Sequence, residues 1–145
     1  MVKNSKNFLP LDIQRLGDCI AVFGDETTVG GGGSGSVTPP YIITPAIGIT
    51  SAVAEAGVTS TKVIYNSGKD LTEAANVARQ CNTAVVVVAA YSWESDDREN
   101  LSLGADQDNV VSTVVAANSH TVVSVNTPGA ILMPWIDQVP ATIVS

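Results

Sequence analysis

Apolar residues come in short runs along this chain, and polar helical stretches separate them. Asp18–Gly24, Thr61–Tyr65, Thr83–Ala89, Thr121–Val125 and Ala141–Val144 are runs of the length and apolar content expected of strands. The run Ala84-Val85-Val86-Val87-Val88-Ala89-Ala90 has no polar alternation, which predicts a central strand covered on both faces. Helix signals lie between the runs. Thr44-Pro45 is an N-cap followed by proline at the first helical position, and that helix should stop at Gly57. Asp70 with Glu73 has the spacing of a capping box, opening a helix from Leu71 to about Cys81. Val110, Val111, Val114 and Val115 make one face of a helix over 105–118. A short helix is expected over Ile131–Asp137.

The alternation predicts an α/β fold: a doubly wound, mainly parallel open sheet of about five strands, with helices on both faces as a three-layer sandwich. Residues 1–17 read as a linker, with Asn7–Leu11 as a small apolar anchor, and 18–145 as the domain. No covering helix follows Val144, so the domain reads as incomplete, with a strand face or sheet edge left bare.

Composition narrows the function. Of the 145 residues only 14% are charged, against a usual quarter, so the surface holds a large uncharged area of the kind a partner domain would cover. The net charge of −7, with seven scattered basic residues, argues against nucleic acid as a partner. No apolar stretch is long enough to span a membrane. Cys19 and Cys81 are expected as ordinary buried thiols rather than a metal site or a disulfide framework. A single histidine, His120, gives no basis for zinc. It should lie at the end of the sheet opposite the 91–103 loop.

Two segments remain as candidate sites. Gly30–Gly35 formally contains G-x-G-x-x-G, but Pro39 and Pro40 separate it from the next helix, whereas a dinucleotide site needs the glycines to open a helix directly. It reads instead as a loop at the carboxyl edge of the sheet, able to fold over a ligand. The stretch Tyr91–Leu103 carries five charges and an indole, and follows the buried strand at the edge where open α/β sheets bind ligands. Glu94 is its candidate proton-transfer group and Trp93 its candidate ligand contact, while Asp97-Arg98 reads as a pair that stiffens the loop. Trp135 reads as core packing.

Taken in order, several segments resemble the C-terminal α/β-sandwich domain of glycoside hydrolase family 3, the β-glucosidase and β-xylosidase family. Lys3–Leu11 is similar to the end of its interdomain linker, Ile20–Gly24 to its first strand, Gly31–Pro40 to its Gly-Ser loop, and Thr44–Ile49 to the following segment. Glu94–Leu103 resembles the motif that carries the family's acid/base, and Asn126–Trp135 its Met-Pro-Trp segment. Two positions depart from the pattern: Ser95 stands where glycine is common, and Gly104 where proline is usual.

The resemblance implies a retaining β-glycosidase that hydrolyses terminal β-linked sugars. Glu94 would be catalytic, and Trp93, Asp97 and Arg98 would face substrate. The nucleophilic Asp would lie in an N-terminal (β/α)8 barrel absent from these residues. No metal or cofactor is implied. A secreted or extracytoplasmic parent fits the family, although the residues themselves leave the compartment unknown. The alternative is a carbohydrate-binding or scaffold domain of the same fold.

Overall fold

The computed structural model describes residues 1–24 and 33–145. The elements are β1 (Lys3–Asn4), β2 (Cys19–Gly24), α1 (Pro45–Glu55), β3 (Lys62–Asn66), α2 (Leu71–Gln80), β4 (Thr83–Ala89), α3 (Ala105–Ala117), β5 (Thr121–Asn126) and β6 (Ala141–Val144). They form one sheet in the order β1-β6-β5-β4-β2-β3. All neighbours from β6 to β3 are parallel, and β1 alone runs antiparallel, Lys3 opposite Thr142. After β2 the chain moves outward to β3, then crosses back to β4 on the other side. The carboxyl ends of β2 and β4 therefore flank the switch point of the winding.

Two cores sandwich the sheet. On one face Ala21, Phe23, Val86, Val88, Val123 and Val125 pack against Ala74 and Ala78 of α2 and Val111, Val114 and Val115 of α3. Small residues on α2 let it approach closely, which explains how an alanine-rich chain with few aromatics fills this layer. On the other face Ile20 and Val22 pack against Val53 of α1, with Leu11, Ile13 and Leu16 from the N-terminal segment. β4 is buried almost throughout, as its unbroken apolar run predicts.

The helix ends follow the local signals. Thr44 accepts a bond from Ile47 N at 3.3 Å, and Gly57, at φ +71°, ends α1 in the left-handed conformation. Asp70 accepts from the N–H groups of Thr72 and Glu73 at 2.9 and 3.0 Å. Replacing Asp70 with Ala should lower stability by about 1 kcal/mol, the usual value of such a cap, read from urea denaturation.

Several expectations are corrected. Residues 131–135 are not helical, and only a 3-10 turn forms at Ile136–Gln138. Pro134 lacks an N–H and disfavours a helical Met133. The outer edge of β6 is not bare: Lys3–Asn4, from the stretch read as a linker, pairs with it, although Ile143 remains 38% exposed on the face.

Cys19 and Cys81 are not free thiols. They form a disulfide, with Cα atoms 4.8 Å apart. Cys19 opens β2, and Cys81 caps α2 just before the chain enters β4, the neighbour of β2, so the winding itself brings them together.

His120 lies at the amino end of β5, away from the 91–103 loop, and its ring packs on Phe8 with centroids 5.9 Å apart. Trp135 is 1% exposed, and its Nε1 donates to Asp108 Oδ1 at 2.8 Å.

Candidate active site

The loop after β4 folds back on itself immediately. Trp93 N donates to Asp96 O at 3.3 Å and Asp96 N to Trp93 O at 3.0 Å, closing a four-residue turn. Glu94 and Ser95 form its tip. Ser95 adopts φ +67°, a left-handed conformation that glycine takes without strain. The departure at this position is thus a side chain placed where the backbone favours none. Gly104, the other departure, sits at φ +91° just before α3, a conformation closed to proline. The entry into α3 must therefore differ from that of a chain with proline at this point.

Trp93, 50% exposed, and Glu94 both project from the domain. Glu94 Oε2 accepts a bond from Ser34 N at 3.0 Å, which joins this turn to the Gly-Ser segment. The Ser34 hydroxyl and then its backbone N–H hold the Glu94 carboxyl below the usual carboxylate range, while desolvation is a smaller push upward. Gly33–Gly35 forms a single 3-10 turn, closed by Ser36 Oγ donating to Gly33 O at 2.7 Å. The chain then runs without a helix to Pro45, so these glycines do not open one directly. Gly30–Gly32, the rest of the glycine motif, lies outside the described residues.

Asp97 and Arg98 do not pair with each other. Arg98 Nη2 instead donates to Ala130 O at 2.7 Å, and its Nη1 is buried without a partner. Leu132 N donates to Leu101 O at 2.8 Å. Together these bonds fasten the acidic loop to the 127–134 segment. Arg98 is half-buried at this junction, and Asp97 is exposed beside it.

At the switch point itself, a cavity of ≈ 430 Å³ opens between Gly24, Val87, Ala89, Lys69, Tyr91 and Gln107. Gln107 is already committed: it accepts from Ala89 N at 2.8 Å and donates to Ala89 O at 2.9 Å and Leu103 O at 2.8 Å. Glu94 is exposed and does not line this cavity. The floor of the hollow is largely apolar, and Asp106 and Lys69 bring charge to its lining. Among the described residues no group of three or more His, Cys, Asp or Glu is placed to hold a metal ion. None of the described helices is long and apolar enough to cross a membrane.

Fold and site define the class: a doubly wound α/β domain that presents a turn-mounted carboxylate and an indole outward on the loop after its central strand. The profile of the glycosyl hydrolase family 3 C-terminal domain matches residues 1–145, and the chain belongs to that family. A β-glucosidase of Schizophyllum commune is 36% identical over 107 residues, covering 68% of this chain and 55% of that protein. The probable β-glucosidase A of Aspergillus clavatus is 34% identical over 114 residues, covering 72% of this chain and 13% of that protein. Among solved structures, a family 3 β-glucosidase of Neurospora crassa superposes with TM-score 0.76 at 27% identity, over 98% of this chain and 20% of that one. A β-glucosidase of Kluyveromyces marxianus shares the fold at TM-score 0.83 and 14% identity, over 98% of this chain and 35% of that one. The chain therefore spans only part of the length of these relatives.

Proposed function

We propose that this chain is the acid/base-bearing domain of a retaining β-glycosidase, β-glucosidase-like, that hydrolyses terminal β-linked sugars. In this reading residues 1–17 lead from an N-terminal (β/α)8 barrel, residues 18–145 form most of the second domain, and the barrel supplies the nucleophilic carboxylate and the sugar pocket. The observation that carries the reading is the outward placement of Glu94 on a closed turn beside Trp93.

Retaining hydrolysis needs two carboxyl groups about 5–5.5 Å apart, on either side of the scissile bond. Glu94 would protonate the glycosidic oxygen as the barrel carboxylate attacks the anomeric carbon. It would then take a proton from the water that releases the sugar. In the isolated domain Glu94 is open to solvent and ionised. Docking of the barrel would strip water from it and raise its affinity for the proton that the first step requires. Trp93 would offer an apolar face to a sugar ring, and Arg98 would hold the loop against Ala130 while Asp97 stays available to hydroxyls.

The test compares the full-length protein with the isolated 145-residue chain on an aryl β-glucoside. Turnover is expected from the full-length protein alone. Hydrolysis by the isolated chain would overturn the division of labour, and sugar binding without hydrolysis by the full-length protein would favour a carbohydrate-binding or scaffold role.

A further inference from the structure

Two separately closed turns meet at Glu94. The first is Trp93–Asp96, tied by its paired backbone bonds. The second is Gly33–Ser36, tied by Ser36 N and Ser36 Oγ to Gly33 O at 3.2 and 2.7 Å. They lie 60 residues apart in sequence and are joined by Ser34 N donating to Glu94 Oε2. Gly33, at φ +62°, lies against the Glu94 side chain: a Cβ there would stand 2.8 Å from Glu94 Cβ and 3.1 Å from Oε2. The packing thus leaves no room for a side chain at 33, and the backbone angle disfavours one.

We propose that Gly33 and Ser34 are the positioning residues of the acid/base: Ser34 holds one oxygen of the Glu94 carboxylate by hydrogen bonding, and Gly33 leaves the space in which the side chain lies. The proposal rests on the acid/base reading of Glu94. Its chemical consequence is asymmetric. A donor on the carboxylate favours the ionised form. It therefore assists the second step, in which Glu94 accepts a proton from water, and opposes the first, in which Glu94 must arrive protonated. With Oε2 held, proton exchange with the leaving group and with water falls to Oε1.

The experiment uses the full-length protein, wild type and the variants Ser34→Ala, Ser34→Thr and Glu94→Gln, with 2,4-dinitrophenyl β-glucoside as probe. This leaving group departs with little acid assistance, so release of the glycosyl-enzyme limits kcat. Ser34→Ala removes the hydroxyl that helps hold the Glu94 carboxyl but leaves the backbone N–H on Oε2, so it should lower kcat only about threefold, the low end of a single hydrogen bond. It should also move the acidic limb of the kcat profile to higher pH, because release of the glycosyl-enzyme needs the ionised carboxyl and that form loses a stabiliser. Ser34→Thr, which keeps the hydroxyl, should restore both. Gly33→Ala, assayed alongside, should lower kcat and also lower the melting temperature, because its Cβ meets Glu94 Cβ and its φ is left-handed. Ser34→Ala and Gly33→Ala profiles both superimposed on wild type, with Glu94→Gln still impaired, would overturn the positioning role and leave the acid/base reading standing. Wild-type rates for Glu94→Gln would remove both.

Discussion

Glu94→Gln in the full-length protein should slow hydrolysis of β-glucosides with poor leaving groups by about 10²–10⁴-fold, the range general acid/base catalysis supplies. Gln is nearly isosteric, and its side-chain oxygen can still accept from Ser34, so the turn should keep its shape. What it lacks is the exchangeable proton. Substrates with good leaving groups should lose less in the first step, because their departing oxygen needs no proton. Azide should then restore turnover: the anion attacks the anomeric carbon of the glycosyl-enzyme without general-base help and displaces the barrel carboxylate, giving a glycosyl azide. The check is steady-state kinetics on a leaving-group series, with and without azide, and product analysis for the azide. Uniform wild-type rates across the series would reduce Glu94 to a loop carboxylate.

Removing the disulfide by Cys19→Ala with Cys81→Ala should cost about 4 kcal/mol of stability, from the loop entropy that a cross-link across 62 residues removes from the unfolded chain. Both cysteines are buried, and the bond joins the first residue of β2 to the end of α2. Its loss should therefore loosen the amino edge of the sheet and leave the Glu94 turn, at the carboxyl edge, in place. Urea denaturation of the oxidised and double-Ala proteins checks the size. A loss below about 1 kcal/mol would mean that the unfolded chain is already compact around this pair. Disulfides persist in oxidising compartments, so the expected stability is that of the oxidised protein.

Most of the fold was legible because its signals are local. The unbroken apolar run of β4, the Thr44 and Asp70 caps and the valine face of α3 each constrain their own segment, and the structure places all of them as read. The short helix expected over 131–137 failed for a local reason as well: Pro134 outweighed the apolar spacing around it. Asp97 and Arg98 are neighbours in sequence, but the Arg98 guanidinium reaches a carbonyl of another segment rather than the Asp97 carboxylate. Arg98 found its acceptor at Ala130, 32 residues away.

The residue types and their order determined the alternation of strands and helices, the parallel winding, the buried centre at β4 and the exposure of an acidic, indole-bearing loop at the carboxyl edge. Hydrophobic period and capping act within one turn or strand, so one chain suffices to read them. Only the tertiary structure decided that Cys19 meets Cys81, that Lys3–Asn4 closes the sheet against β6, and that the Gly33–Ser34 turn grips Glu94. Each of these contacts joins distant segments, and their meeting depends on how the crossovers pack against the sheet, which no local pattern encodes.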